Sequence, residues 1–557
     1  MHHSPFTSLV ALGSILAAAT STAYQLPSTH SSSVSDETYD YIVVGGGPSG
    51  IIAAERIAET NKKVLLLERG TGPTVSTGAN KTLSWNDTLT PIDVPGLSTA
   101  LSDVGLYSEY VCDDTAGTAA CVLGGGCTIN YMVFVHPQEA DFNDKWPQGW
   151  KWSDVEPAAN RLYERNPGTS LPSADGKRYD YGIYSILSGF LDSVGWKAVD
   201  QVANPNEKYQ AYSYPVWNVK DEKRAGPLRT YLPLAQQSKS FTLRTGVKVN
   251  RVVRTGSTAT GVEIQTANGT SIIQLAPNGR VVLAAGAMGS PHVLFNSGIG
   301  PQAEIAKAQS AGMTVPAQKD WISLPVGAGI KDHPIFLINV QSNGTFSLLN
   351  TTSVVAGTDT ADIDLYEEQD SGILTQGRHR VVFWTSNVAS DNVTRFYQGS
   401  VGATTSEGVI SITAYMTHGL TSSGTLVLND AGNATVFETV PYLQTAGDRE
   451  AATDFIQQMV DYYNNPAANF SIQGYTNVSA ILDSYTAGIH FVGSNKLGTD
   501  DGRLANGTSV VDTNAKVYGM DNLYIVDASI HPDLPTGNAQ AIVMVVAEAA
   551  IAKILSA

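Results

Sequence analysis

The alternation of apolar and polar positions predicts a strand, a helix and a second strand near the start of the chain. Residues 39–44 form a short apolar run that leads directly into glycines, which is typical of a buried parallel strand. Residues 48–59 place apolar side chains on roughly one stripe, which predicts an amphipathic helix. A second apolar run at 64–67 ends at Glu68. Together the three elements predict one βαβ unit.

Two later apolar runs, at 279–285 and 522–526, have the same buried-strand character and are expected to join the same sheet. Longer stretches of alternating character lie between them, at 408–415 and 424–428. Such alternation is typical of antiparallel strands that bury one face and expose the other. A second, sheet-containing domain is therefore expected to be inserted into the first.

The composition and charge of the chain are those of a globular protein with an acidic surface. Its 557 residues allow two or more domains, and 42% of them are hydrophobic against 15% charged. The formal net charge of -17 disfavours nucleic acids and anionic membranes as partners, because both need clustered Lys and Arg. Neutral and cationic small molecules remain compatible with this charge.

Residues 1–23 are expected to form a secretory signal peptide. An apolar run at 9–19 is followed by small residues up to Ala23, and it is shorter than the roughly 20 residues that a membrane-spanning helix needs. Ten Asn-X-Ser/Thr sequons favour the same route, so we expect a secreted, extracellular glycoprotein. The sequons begin at Asn80, Asn86, Asn268, Asn343, Asn350, Asn392, Asn433, Asn469, Asn477 and Asn506.

The three cysteines suggest a disulfide rather than a metal site. Cys112 and Cys121 are close enough in sequence to close a short loop in an oxidising compartment, which leaves Cys127 free as a small buried side chain. No Cys or His spacing matches a zinc or iron-sulfur site, and we expect no metal.

A glycine pattern at the end of the first predicted strand indicates a dinucleotide site. In the segment 45–50, Gly45 permits a tight turn, Gly47 lets the backbone approach a phosphate, and Gly50 allows close packing of helix and strand. The N-terminus of the next helix offers free N–H groups and a positive dipole to the anion. Glu68 ends the following strand, where a carboxylate can hold both ribose hydroxyls and disfavours NADP. This pattern does not separate NAD from FAD.

A resemblance to a known family separates the two cofactors. The segments 124–133, Gly-Gly-Gly-Cys-Thr-Ile-Asn-Tyr-Met-Val, and 286–301, which begins Gly-Ala-Met-Gly-Ser-Pro-His, resemble the two signatures of the glucose-methanol-choline (GMC) flavin oxidoreductases. Further segments follow in family order, so the resemblance covers essentially the mature chain. These segments are 324–327, 332–334, 526–529 and 535–540.

The resemblance implies an α/β fold in which a Rossmann-like FAD-binding domain is interleaved with an α+β substrate domain built on an antiparallel sheet. The expected segments are the signal peptide at 1–23, FAD-binding parts at 39–150, 228–330 and 475–557, and substrate-domain parts at 151–227 and 331–474.

The same resemblance implies where FAD binds. Val249 is expected to meet the adenine by its backbone, and Asp527 with Ala528 to lie near the pyrophosphate and ribityl chain. The residues expected to line the isoalloxazine are Gly126, Asn130, Met132 and Val133. Some relatives bind FAD covalently through a histidine where this chain has Ile129, so we expect non-covalent FAD. The expected FAD-binding residues are Gly45, Gly47, Pro48, Ser49, Gly50, Glu68, Arg69, Gly126, Asn130, Met132, Val133, Val249, Asp527, Ala528 and Gln540.

His490 and Asn538 are the expected catalytic residues. Alcohol oxidation requires a base for the hydroxyl proton, and an imidazole suits that role. His490 stands where the family has its catalytic histidine, and Asn538 stands where the family has its hydrogen-bonding partner. Asn538 cannot take a proton, so His490 would be the sole general base. The electrons are expected to pass from the flavin to a quinone, O2 or a separate redox protein.

The substrate is expected to be a small-molecule alcohol or sugar. Within the family, the flavin domain of fungal cellobiose dehydrogenase is the most similar, through 223–227, the Cys112 and Cys121 pair and 510–512. Those enzymes typically have Ser-Asn before the catalytic histidine and an arginine after Phe-Trp.

This chain has Gly488 and Ile489 at the first of these places and Thr385 at the second, which we take as its substrate residues. Loss of polar groups that read sugar hydroxyls disfavours cellobiose and favours an aryl, aliphatic or secondary-metabolite alcohol. Two other classes stay open, namely a lyase in which FAD is not turned over and a flavin-binding protein without catalysis.

Overall fold

The computed structural model describes most of the chain from Glu37 onward. The residues it describes are 37–179, 182–404, 406–465, 469–475 and 477–557. The expected signal peptide at 1–23 lies outside them.

The described residues form twenty strands and fifteen α-helices. The strands are β1 (Tyr39–Val44), β2 (Val64–Leu67), β3 (Lys197–Ala198), β4 (Ala211–Ser213), β5 (Val219–Lys220), β6 (Lys223–Arg224), β7 (Phe241–Arg244), β8 (Val249–Thr255), β9 (Thr258–Thr266), β10 (Gly269–Leu283), β11 (Ala328–Ile330), β12 (Pro334–Ser342), β13 (Val381–Val388), β14 (Thr394–Ala403), β15 (Val409–Met416), β16 (Gly424–Leu428), β17 (Thr435–Thr439), β18 (Phe470–Gln473), β19 (Thr486–Ala487) and β20 (Leu523–Ile525). The helices are α1 (Pro48–Ala58), α2 (Leu106–Tyr110), α3 (Gly126–Ile129), α4 (Glu139–Asn143), α5 (Trp152–Arg165), α6 (Ile183–Ser193), α7 (Pro227–Thr230), α8 (Leu232–Gln236), α9 (Gly286–Asn296), α10 (Gln302–Ser310), α11 (Thr351–Val355), α12 (Thr360–Gln369), α13 (Ala446–Tyr463), α14 (Val478–Asp483) and α15 (Gln540–Ser556).

The first large sheet contains the predicted βαβ unit. Its strand order is β7-β2-β1-β10-β9-β8, with β20 paired to β10. The pairs β1 with β2, β1 with β10, and β10 with β20 are parallel, so their carboxyl ends meet at one edge, where such sheets bind ligands. The prediction that 279–285 and 522–526 share the sheet of β1 is confirmed. β10 begins earlier than predicted, at Gly269, because its first part forms an antiparallel hairpin with β9.

The second large sheet is mostly antiparallel, with strand order β18-β12-β15-β14-β13-β4-β3 and β19 paired to β12. β15 matches the alternating stretch predicted at 408–415, but the expected exposed face is wrong. Its even-numbered residues, from Ile410 to Met416, pack in an apolar cluster with residues of α6 and α13. On the opposite face, Thr413 and Tyr415 line the cavity described below.

β16 is a strand at the predicted place, but it pairs with β11 and β17 in a separate three-stranded sheet. The expected fold class, a Rossmann-like domain with a second domain on an antiparallel sheet, is confirmed. The segment boundaries stay a prediction. In the second sheet, β3 and β4 fall within the predicted substrate segment 151–227, whereas β19 falls within 475–557, which is predicted to bind FAD. Within the described part of the chain, none of the helices combines the length and apolar character needed to cross a bilayer.

Candidate active site

A cavity of about 1010 Å³ is lined by residues of both large sheets. One end of the cavity is lined by the turn after β1 and by Glu68 at the end of β2. The other end is lined by Tyr415 of the antiparallel sheet, together with His490 and Asn538. The cavity therefore joins the predicted dinucleotide site to the predicted catalytic pair.

The three glycines of the turn after β1 serve different purposes. Gly45 has a φ of +105°, and a Cβ there would lie 2.4 Å from the carbonyl oxygen of Ala284. A Cβ on Gly50 would lie 1.8 Å from the carbonyl oxygen of Gly45, so both glycines are required by packing. A Cβ on Gly47 would meet no atom nearer than 4.0 Å. Gly47 therefore keeps space open inside the cavity.

The first turn of α1 offers unsatisfied donors to this space. The helix begins at Pro48 with Gly47 as its N-cap and no side-chain cap. The hydroxyl of Ser49 is buried and has no hydrogen-bond partner among the described residues. A helix N-terminus with free donors binds phosphate well, because its N–H groups and dipole favour negative charge. The turn therefore fits a pyrophosphate.

The carboxylate of Glu68 is held in place by the backbone. It accepts hydrogen bonds from the N–H of Gly46 and of Gly70, each at 2.6 Å. Burial raises its pKa, and the two N–H groups act in the opposite direction. Each oxygen keeps a further lone pair that a ribose hydroxyl can use. The neighbouring Arg69 also lines the cavity, but its guanidinium pairs with Asp114 at 2.9 Å.

The residues expected around the isoalloxazine form a hydrogen-bonded group. The Asn130 side chain donates to Gln540 Oε1 at 2.9 Å and accepts from the N–H of Met132 at 3.0 Å. The Gln540 side-chain nitrogen is buried and has no partner in the described chain. Gly126 faces open space, and Val133 also lines the cavity. These open positions and the spare donor of Gln540 fit a planar ring with acceptor atoms.

The remaining predicted cofactor residues line the same cavity. Val249 begins β8, and Ala528 follows β20. Asp527 is buried, which raises its pKa, and it accepts from Ser290 Oγ at 2.5 Å and from the N–H of Gly286 at 2.9 Å. Its carboxylate thus links the segment after β20 to the start of α9 by hydrogen bonds. Every residue predicted to bind FAD except Gly50, which is a packing position, lines the cavity.

The orientation of the Asn538 side chain is fixed by Gln398, a fully buried residue of β14. Gln398 Oε1 accepts the backbone N–H of Asn538 at 2.9 Å, so its Nε2 must be the atom that donates to Asn538 Oδ1 at 2.6 Å. The Asn538 amide nitrogen is left facing His490 Nε2 at 3.4 Å. This contact makes His490 Nε2 the acceptor.

A second histidine contacts His490 from the other side. His333 Nδ1 lies 3.1 Å from His490 Nδ1, and His333 is fully buried. The His490 ring opens to the cavity but is otherwise enclosed by protein, and this burial lowers its pKa to about 4. Burial and the His490 ring hold the pKa of His333 well below its usual range, and the backbone carbonyl of Pro535 acts in the opposite direction.

Asp332 holds the backbone that carries His490. Its buried carboxylate accepts the N–H of His490 at 2.7 Å, the N–H of Ile489 at 3.0 Å, and the hydroxyl of Tyr442 at 2.6 Å. Ile489 has a φ of +61°, a region that β-branched residues rarely adopt. The carboxylate therefore stabilises a strained backbone next to the candidate base, a role that the sequence alone did not indicate.

The three predicted substrate residues have different surroundings. Ile489 is 45% exposed and lines the cavity. Gly488 also lines it, and a Cβ there would lie 2.5 Å from the carbonyl oxygen of His333, so no larger residue fits this backbone. Thr385 is buried in β13, on the face of Phe383 rather than the face of Trp384 that packs near the cavity wall. The structure does not bring Thr385 to the cavity.

Sequence reasoning missed several residues at the catalytic end. Tyr131, Arg378, His379 and Tyr415 all line the cavity there. Only Tyr131 lies inside a recognised motif; Tyr415 reaches the cavity from β15, and Arg378 and His379 reach it from the segment before β13. Their sequence surroundings carry no signal that distinguishes them from ordinary strand and loop residues.

The cysteines adopt the expected arrangement. Cys112 and Cys121 form a disulfide whose loop borders the cavity. Cys127 is a free, buried cysteine, and burial raises the pKa of its thiol to about 12. This thiol is therefore protonated and unreactive at neutral pH.

One further cluster, of Asp144, His418 and Asp533, lies close to the segment that carries Asn538. His418 Nδ1 donates to the Leu534 carbonyl at 2.6 Å, and its Nε2 lies 3.0 Å from Asp144. Burial acts to lower the pKa of His418, but Asp144 and Asp533 raise it to about 9. With both ring nitrogens engaged, this cluster is an ion pair that anchors the segment before Asn538.

Comparisons with known proteins identify the family of the chain. The GMC oxidoreductase family model matches residues 39–335 with its N-terminal part and 421–547 with its C-terminal part. Oxygen-dependent choline dehydrogenase from Photobacterium profundum is 25% identical, over 93% of this chain and 93% of the relative. A 5-(hydroxymethyl)furfural oxidase from Methylovorus sp. is 24% identical, over 92% of this chain and 98% of the relative.

Solved structures show the same fold. The crystal structure of a formate oxidase matches with a TM-score of 0.74 at 18% identity, over 93% of this chain and 98% of that chain. At this identity the likeness describes the fold and not the substrate.

Proposed function

The chain belongs to the GMC oxidoreductase family, and from this premise we propose that it is a secreted enzyme that oxidises the CH–OH group of an alcohol with His490 as general base. FAD is its cofactor, and when bound it accepts the hydride that leaves the alcohol carbon. The proton of the hydroxyl passes to His490 Nε2, and the product is an aldehyde or ketone. A quinone, O2 or a separate redox protein then takes the electrons.

The contact between Asn538 and His490 carries this proposal. The Asn538 amide nitrogen and His490 Nε2 lie 3.4 Å apart at one end of the cavity. An alcohol oxygen placed between them can accept from the amide and donate its own proton to the imidazole. This pair therefore orients the hydroxyl and removes its proton with no other titratable group.

The ring of His333 supports the base role of His490. An N···N hydrogen bond joins one N–H to one bare nitrogen, so only one of the two facing Nδ1 atoms carries a proton. The Asn538 amide, whose orientation is fixed by Gln398, makes His490 Nε2 the acceptor. His490 then holds its proton on Nδ1 and presents a bare Nε2. His333 Nδ1 is then the bare nitrogen of the pair and accepts the hydrogen bond from His490 Nδ1.

We also propose that FAD is held without a covalent bond. Ile129, which stands where some relatives have a linking histidine, is a buried side chain that cannot form such a link. Acid precipitation should therefore release all of the yellow cofactor into the supernatant. Cofactor retained in the protein pellet would contradict this.

The function is tested by anaerobic mixing of the purified holoprotein with a panel of alcohols and sugars, followed at the flavin absorption band. We expect at least one alcohol to bleach the flavin, and His490→Ala to slow bleaching by about 100-fold or more. FAD content and the melting temperature of the variant serve as controls for folding. The proposal fails if no alcohol or sugar bleaches the wild-type flavin, and cleavage of a hydroxynitrile without bleaching would identify a lyase instead.

A further inference from the structure

The catalytic end of the cavity contains an arginine without an acidic partner. Arg378 lies just before β13 and lines the cavity, where its guanidinium stands 5.6 Å from the ring centre of Tyr131. Among the described residues it forms no ion pair and no hydrogen bond through its guanidinium, whereas the other basic residues of the cavity wall, Arg69 and Lys248, both pair with Asp114. Arg378 is thus the one arginine or lysine of the described cavity wall that has no ion pair.

The surroundings of Arg378 connect it to the catalytic pair. Tyr131 is 43% exposed and contacts the His379 ring edge-on at 5.9 Å. The ring of Tyr415 lies 5.6 Å from that of His490. Burial and Tyr131 raise the pKa of Tyr415 to about 12, and Arg378 is near enough to act in the opposite direction. A guanidinium, two aromatic rings and the candidate base therefore share one end of the cavity.

This end of the cavity otherwise offers apolar and neutral surface. Ile489 adds a half-exposed aliphatic side chain, and no carboxylate side chain lines this end in the described ranges. The net charge of -17 belongs to the whole molecule, and salt screens most of it beyond a Debye length of about 8 Å. Arg378 is therefore the cationic side chain that lines this end, while the buried carboxylate of Asp332 does not line the cavity and accepts the N–H groups of Ile489 and His490.

We propose that the preferred substrate is an alcohol that carries a carboxylate, with the carboxylate bound by Arg378, an apolar body beside Tyr131 and Ile489, and the hydroxyl at His490 and Asn538. The inference rests on the proposed function, because it names the substrate class of that same site. A guanidinium binds a carboxylate through two parallel N–H···O bonds, which a neutral ester cannot reproduce. The acid should therefore be preferred over its own ester.

The test compares acids with their methyl esters by anaerobic flavin reduction in the holoenzyme. Three pairs vary the length between hydroxyl and carboxylate: glycolate, 4-(hydroxymethyl)benzoate and 6-hydroxyhexanoate, each with its methyl ester. In at least one pair we expect the apparent second-order rate constant to be about tenfold or more higher for the acid. Arg378→Gln should lower this acid-to-ester ratio by about tenfold or more, and Arg378→Lys should lower it by less.

Arg503→Gln is the matched control, since it removes the same charge from an exposed arginine that pairs with Asp501 and does not line the cavity. Both rate constants should be unchanged in this variant. The inference is overturned if the esters react as fast as the acids in all three pairs, or if Arg378→Gln leaves the ratio unchanged. Reduction by neutral alcohols alone would overturn this inference but keep the proposed function, whereas absence of reduction by every alcohol would overturn the proposed function.

Discussion

At the scale of single residues, the proposed base role of His490 sets the pH range in which we expect the site to work. Burial lowers the pKa of His490 to about 4, below the ordinary value of about 6.5 for a histidine. A general base acts only when it is unprotonated, so the lowered pKa keeps His490 active in mildly acidic solution. We expect the rate of anaerobic flavin reduction to stay constant from about pH 8 to about pH 5 and to fall near pH 4. A rate that already halves near pH 6.5, with the flavin spectrum unchanged, would contradict this.

His333 is expected to act as a positioning residue. Its bare Nδ1 holds the proton of His490 on Nδ1, so that His490 Nε2, which faces Asn538, stays bare. His333→Leu removes the acceptor and should slow flavin reduction by about 100-fold or more. His333→Asn, which has nearly the same size, offers a carbonyl oxygen in its place and should retain more of the rate.

The measurement is stopped-flow reduction over a range of substrate concentrations, which separates the reduction rate from substrate dissociation. We expect the dissociation constant to change by less than about threefold in both variants, since His333 does not line the cavity. Equal losses in the Leu and Asn variants would point to a packing role alone.

At the scale of elements, the turn between β1 and α1 separates glycines required by the fold from the glycine required by the cofactor. In Gly50→Ala the new Cβ would lie 1.8 Å from a backbone oxygen, and we expect a loss of at least about 2 kcal/mol in the free energy of unfolding. In Gly47→Ala the new Cβ meets no protein atom nearer than 4.0 Å, so the apoprotein should melt like the wild type. FAD binding should nevertheless weaken by about tenfold or more, because the methyl group takes space next to the helix N-terminus.

Thermal melting of the apoproteins and titration with FAD measure these two effects separately. Each variant is the control for the other, since both add one methyl group to the same short turn. A Gly47→Ala protein that binds FAD as tightly as the wild type would show that the open space at this turn is not the pyrophosphate site.

The elements also show which features the sequence can predict. β1, α1 and β2 were predictable because strand, turn and helix signals lie within one short segment. The site of His490 and Asn538 was accessible only through family resemblance, since no local pattern marks either residue. Gln398 and Arg378 were not predicted, because both reach the site from distant positions, Gln398 through the pairing of β14 with β15 and Arg378 from the segment before β13. Thr385 was misjudged because the face on which a strand residue lies depends on register, which a dipeptide match does not reveal.

At the scale of the whole molecule, the active site exists only where the two large sheets meet. The first sheet contributes the turn at Gly47 and the carboxylate of Glu68, while the second contributes Gln398 and Tyr415. His490 and Asn538 reach the cavity from segments outside both sheets. Cofactor binding and hydroxyl orientation therefore depend on separate parts of the fold.

The surface of the molecule bears on the proposed secretion. Of the ten sequons, nine have an exposed asparagine, and only Asn86 is half-buried. The Asn86 side chain is also engaged, since its nitrogen donates to Glu367 at 2.5 Å and its oxygen accepts from the N–H of Thr88 at 2.8 Å. A glycan needs a free amide nitrogen on an accessible asparagine. Asn86 should therefore be the least occupied site.

We expect protein secreted from a eukaryotic host to carry N-glycans at several of the nine exposed sequons and to carry little or none at Asn86. Enzymatic deglycosylation in ¹⁸O-labelled water, followed by peptide mass spectrometry, marks each occupied asparagine as a labelled aspartate. Deletion of residues 1–23 should leave the protein inside the cell and unlabelled at every sequon, because glycosylation takes place only along the secretory route. Secreted protein without any labelled site would refute the glycoprotein prediction, and the deleted chain appearing in the medium would refute the signal peptide.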